Sequence, residues 1–96
     1  MGIKQIRIIV KGRVQGVFFR NYTKEYALSL KIQGKVRNLK NGDVEILAKG
    51  DSKQIDDLIK WAHKGSPLSK VEELVVIDIK EAIEFPSDFY VENGRF

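Results

Sequence analysis

Cysteine is absent from the 96 residues of this chain. That excludes disulfide frameworks, thiolate zinc sites and cysteine nucleophiles. Histidine occurs once, as His63, which argues against a His-rich metal centre and leaves no spare imidazole for a Ser-His-Asp triad. Proline occurs twice, as Pro67 and Pro86, both outside the strongest periodic segments. No run of about 20 apolar residues exists to span a bilayer. The opening Met1-Gly2-Ile3-Lys4-Gln5-Ile6-Arg7 puts charges where a secretory signal needs its apolar stretch, and a cytoplasmic setting is expected. Repeats, low-complexity tracts and linkers are also missing.

What is present is ordinary for a globular chain: 43% hydrophobic and 31% charged residues. At roughly 150 residues per domain, residues 1–96 are expected to form one domain. A chain of this size buries about 60% or more of its unfolded surface, enough for one core. Lys and Arg number 17 against 13 Asp and Glu, giving a net charge of +4. That balance favours anionic partners, a small phosphate or a nucleic acid, and serves solubility equally well.

Periodicity supplies the elements. Ile6, Ile8 and Val10 alternate with Arg7 and Lys11, a strand with one apolar face. Gly12-Arg13-Val14-Gln15-Gly16 breaks the pattern and reads as a loop. Phe19, Tyr22, Tyr26 and Leu30 then recur at helical spacing, predicting a helix over 19–30. Val36 to Leu39 is a short strand, and Asn41-Gly42 suits a type I′ turn. Val44, Ile46 and Ala48 form the returning strand. Asp51 is expected to cap a second helix, with Gln54 as its capping-box partner. Ile55, Leu58, Ile59 and Ala62 give that helix its buried stripe, Lys60 and Lys64 sit near its negative end, and Gly65 with Pro67 stops it. Val71 to Ile79 is another strand, and Phe89 and Val91 mark a short fifth.

The order β-α-β-β-α-β is that of a ferredoxin-like α+β sandwich, an antiparallel sheet with both helices on one face. Its first crossover is right-handed, so strands one and two run the same way and end at one edge. The loop 12–16, the start of helix one and Asn38 should converge there. Alternation puts Asn38 on the face of Val36, the helix-packed face, where a polar amide is poor core filling.

Gly12 to Arg20 is a glycine-punctuated loop entering a helix. Glycine lets amides turn inward, and free N–H groups at a helix start attract anions. Arg20 adds a guanidinium suited to phosphate or carboxylate oxygens. The plainer reading is a permitted turn with a solvated arginine, although a cation there opposes the helix dipole. Asn38 has a plain reading too, an Asx-type bond that helps the turn. His63 reads as a surface or capping residue at the end of the sheet opposite the loop. Trp61 reads as packing, and Asp56-Asp57 as solvated. The carboxylates lack metal-like spacing.

Two segments carry a family resemblance. Gly12-Arg13-Val14-Gln15-Gly16-Val17-Phe18-Phe19-Arg20 closely resembles the first acylphosphatase signature. Gly34-Lys35-Val36-Arg37-Asn38-Leu39-Lys40-Asn41-Gly42-Asp43-Val44-Glu45 resembles the second, with Gly50 where that signature usually ends. Gly65-Ser66-Pro67 followed by Val71-Glu72 looks like the family's connection into strand four. The resemblance covers nearly the whole chain. It implies hydrolysis of acyl phosphates to carboxylate and inorganic phosphate. It also implies that Arg20 binds the phosphate, that Asn38 orients the attacking water, and that amides of Gln15, Gly16, Val17, Phe18 and Phe19 cradle the phosphoryl group. No cofactor, metal, nucleic acid or membrane partner is implied, and a monomer is expected. Lys35 stands where the family commonly has an aromatic or aliphatic residue, which bears on packing and substrate preference. Phe18 stands where the family often has glycine, which bears on the acyl side of the pocket.

Two other readings compete. RNA-recognition domains share this element order, but they need exposed aromatics on the open sheet face. Here that face offers Arg7, Ile9, Lys11, Glu45 and Leu47, and no RNP1-like octamer occurs. The second is a catalytically silent domain that binds acyl or carbamoyl phosphate, like those embedded in larger maturation proteins. Ligand binding without turnover would identify it.

Overall fold

The structure, a computed structural model, describes residues 2–96. The elements are β1 (Ile3–Arg13), α1 (Phe19–Ser29), β2 (Gln33–Asn38), β3 (Val44–Asp51), α2 (Ser52–Lys64), β4 (Lys70–Asp78) and β5 (Phe89–Arg95). They build one five-stranded sheet in the order β4-β1-β3-β2-β5. Ile6, Ile8 and Val10 of β1, Val36 of β2 and Val44, Ile46 and Ala48 of β3 are fully buried. Ile55, Leu58 and Ala62 of α2 pack onto that face, as their spacing predicts. The core therefore lies between the sheet and two helices, the expected ferredoxin-like α+β sandwich.

β4-β1-β3-β2 pair antiparallel, as expected. The fifth strand exists but joins β2 in parallel, so the whole sheet is mixed. Its direction follows from the route: the chain leaves β4 at one edge and must cross to the other before it can pair.

β1 and β2 both oppose β3, so both run the same way and finish at one end of the sheet. Val10 and Asn38 each pair with Val44. The three form one row across the sheet, with Asn38 about 10 Å from Val10, two strand spacings away.

Four local expectations change. Gly12 lies inside β1 at a bulge opposite β4, and the connecting loop is Val14 to Phe18. At φ 127 it accepts no side chain, since a Cβ would sit 2.2 Å from the Lys70 carbonyl oxygen. The β2–β3 turn is not type I′. Gly42 donates to the Leu39 carbonyl, Leu39 to that of Asp43, and Asn41 does not adopt a positive φ. That is a three-residue loop with glycine at its left-handed position. Asp51 does cap α2, accepting from the Lys53 amide at 3.0 Å, but no capping box closes: the Gln54 Oε1 is buried without a partner among the described residues. In α1 the buried line is Phe19, Thr23 and Ala27, and Tyr22 is exposed. Phe19 fills the start of that line and the small Thr23 and Ala27 continue it, while Tyr26 and Leu30 are only partly buried against the core. Tyr26 stacks on Trp61 at 5.5 Å, and Trp61 also meets Phe19 at 5.5 Å.

Candidate active site

The loop Val14 to Phe18 leaves the C-terminal end of β1 and becomes α1 at Phe19. Val14, Val17 and Phe19 are buried and anchor it from beneath. Gly16 turns at φ 74, where glycine meets no steric penalty. Phe18 is the N-cap of α1 at φ 62 and ψ 18, a left-handed conformation, and its side chain makes no capping bond. No acceptor among the described residues takes the amide hydrogens of Gln15, Gly16, Val17, Phe18, Phe19 or Arg20. The first turn of α1 holds no acidic residue and does hold Arg20. Arg20 has no ion-pair partner among the described residues. Unpaired amides, a helix N-terminus and an unpaired guanidinium thus sum to one region of positive potential. Val14, Gly16, Phe18, Phe19, Arg20 and Asn21 line a cavity of about 300 Å³ there.

Two contacts hold the loop in this shape. The Gln15 side-chain amide donates to the carbonyls of Leu39 and Asp43, each at 2.8 Å, which ties the loop to the β2–β3 turn. The buried Ser66 hydroxyl donates to the Val17 carbonyl at 2.8 Å. A peptide unit is planar and its C=O and N–H point opposite ways. Fixing the Val17 carbonyl toward Ser66 therefore aims the Phe18 amide away from it. Sequence reasoning named Gln15 for its backbone amide and missed this work of its side chain and of Ser66. No local pattern marks either contact, because the partners lie 24, 28 and 49 residues away.

His63 requires a correction. α2 starts beside the far end of β3 and returns, because β4 begins opposite Arg13. Its C-terminus, and His63 with it, therefore lies at the same end as the loop. His63 is exposed, and its side chain makes no hydrogen bond or ion pair among the described residues, so it is a surface residue, as read. Trp61 packs, and Asp56 and Asp57 pair with Lys4 and Lys53 at the surface. No group of three or more His, Asp or Glu side chains among the described residues is arranged to hold a metal ion.

Asn38 closes the far side of the row. It is 8% exposed and shares the helix-side face with Val36. Its backbone carbonyl accepts from the Phe96 amide at 3.0 Å. Its buried Oδ1 has no hydrogen-bond partner among the described residues. The Asx turn belongs instead to Asn41, whose Oδ1 accepts from the Asp43 amide at 3.0 Å. The plain reading of Asn38 as a turn residue therefore fails. Its neighbour Arg37 points to the open face of the sheet, where its Nε lies 2.6 Å from Glu45 and its guanidinium stacks on Phe96.

The sequence profile of the Acylphosphatase family matches residues 6–91. This chain belongs to that family. A curated acylphosphatase of Syntrophobacter fumaroxidans is 43% identical over the whole chain and 91% of its own length. One from Rubrobacter xylanophilus is 47% identical over 76% of this chain and 66% of its own. The crystal structure of acylphosphatase from Bacillus subtilis superposes with a TM-score of 0.88 at 36% identity, covering 96% of this chain and all of that one. A crystal structure of full-length HypF in a phosphate- and nucleotide-bound form also superposes, with a TM-score of 0.87 at 28% identity. The match covers 98% of this chain and 12% of HypF. Membership in the acylphosphatase family makes this chain an enzyme of acyl-phosphate hydrolysis.

Proposed function

We propose that the chain cleaves acyl phosphates by in-line attack of one oriented water, without a metal ion or a covalent phosphoenzyme. Acyl phosphate and water give carboxylate, inorganic phosphate and a proton. The leaving carboxylate is a weak base and needs little help from a general acid. What remains is positioning and charge stabilisation, the usual work in phosphoryl transfer. Amides of Gln15 to Phe19 and the Arg20 guanidinium neutralise the phosphoryl oxygens. Asn38 offers an acceptor and a donor, enough to orient water and not to deprotonate it. The observation that carries this reading is the buried, partnerless Oδ1 of Asn38 at the same sheet end as the unpaired amides. All these residues come from one chain, which suits a monomer.

The likeness to a segment of HypF favours one other reading, a silent domain that binds such ligands without turning them over. Benzoyl phosphate hydrolysis followed by ultraviolet absorbance, with EDTA present, separates the two. Turnover that survives EDTA and collapses in Asn38→Ala supports the enzyme. A folded wild type that binds phosphate without turnover supports the silent domain.

A further inference from the structure

Phe18 departs from three local preferences at once. It holds a left-handed φ of 62, which a bulky side chain disfavours. Its side chain is 66% exposed, although an aromatic ring gains most by burial. It makes no capping bond, so the N-cap position is filled without its usual reward. No ring contact of Phe18 exists among the described residues, whereas Phe19, Tyr26 and Trp61 pack on one another. No capping bond or ring contact of the Phe18 side chain among the described residues offsets these costs.

The cavity explains where the ring is useful. Its lining includes three large apolar side chains, and Val14 and Phe19 are each 1% exposed and belong to the core. Gly16 has no side chain, and Arg20 and Asn21 are polar. Phe18 is the one exposed apolar surface of that cavity. A phosphoryl group seated on the amides is joined to its acyl group through a single oxygen, so the acyl carbons must leave across this rim.

We propose that Phe18 is a specificity-determining residue. Its ring is the wall against which the acyl group packs, and it selects acyl phosphates with planar or bulky apolar acyl groups over small aliphatic ones. The proposal rests on the hydrolytic reading above. The strained backbone keeps the ring at the rim rather than folded into the core.

The test compares kcat/KM for benzoyl phosphate with that for acetyl phosphate. Wild type is set beside Phe18→Asn, which tolerates the left-handed backbone, and Phe18→Gly, which removes the strain. The benzoyl-to-acetyl ratio is expected to fall about tenfold in both variants, the loss of one aromatic contact. Phe18→Gly is expected to melt no lower than wild type, whereas a ring that served only the fold would lower the melting point. A ratio within twofold of wild type in variants that melt normally overturns this proposal alone. If wild type turns over neither substrate, the hydrolytic reading fails and this proposal falls with it.

Discussion

A buried polar atom without a partner costs about 1–3 kcal/mol, and Asn38 places one at the end of β2. Removing it relieves that cost. Asn38→Ala is therefore expected to change thermal stability little, to retain phosphate affinity, and to lose turnover by about a hundredfold or more through misplaced water. Inhibition by inorganic phosphate and the hydrolysis rate check the two halves separately. A parallel fall in both would make Asn38 a binding residue. Arg20→Lys is expected to weaken both, because an ammonium cannot reproduce the planar guanidinium fork. Phosphate affinity near the wild-type value in that variant would count against the guanidinium argument. These two residues stood out as candidates in the sequence because local rules accounted for them poorly, a cation at a helix start and an amide on a core face, while the roles tested here came only with the family resemblance.

The loop and the sheet pose separate problems. Ser66 holds the Val17 carbonyl at 2.8 Å from a connection 49 residues downstream. Ser66→Ala leaves that carbonyl buried and unpaired and frees the peptide that aims the Phe18 amide. Phosphate inhibition is expected to weaken severalfold, with a smaller loss of melting temperature, and unchanged inhibition would show that the loop holds its shape without Ser66. On the open face of the sheet, Glu45 of β3 accepts from Arg7 of β1 and Arg37 of β2, each at 2.6 Å. Burial alone would raise its pKa, but the two guanidinium hydrogen bonds outweigh that and hold it below the ordinary 4.5. A carboxylate with a lowered folded pKa stabilises fully above its unfolded value and loses that contribution as pH falls through the folded one. Urea midpoints should therefore separate wild type from Glu45→Gln at neutral pH and converge below about pH 4. Midpoints that stay equally separated into acid would refute the linkage. Here sequence reading was weaker. It read Glu45 only as the polar side of a strand, because its partners are chosen by register across three strands. The Tyr22 stripe, the capping box and the type I′ turn were read from spacing alone: Thr23 and not Tyr22 lies on the buried line, Gln54 makes no capping bond, and the turn closes with three residues.

At the scale of the whole molecule the candidate site is a junction. β1, the α1 start, the β2 end and the α2–β4 connection meet at one end of the sheet. A ligand that binds only this assembled junction must stabilise the entire fold, by about 2.7 kcal/mol at a hundredfold excess over its Kd. Inorganic phosphate is thus expected to raise the melting temperature of wild type and Asn38→Ala alike and to do much less for Arg20→Lys. No shift in wild type at millimolar phosphate would remove the anion site. Trp61, stacked on Tyr26 and tilted against Phe19, offers a fluorescence reading of the same event. The amino-acid sequence by itself determined the alternation of strands and helices, the apolar faces and the motif that enters α1, because these depend on periods of two and 3.6 residues and on the backbone demands of single side chains. The tertiary structure alone decided the parallel docking of β5, the return of His63 to the site end, the bonds from Gln15 and Ser66 and the partnerless oxygen of Asn38. Those depend on contacts between residues far apart in the chain, and no local period encodes which distant carbonyl a side chain will meet.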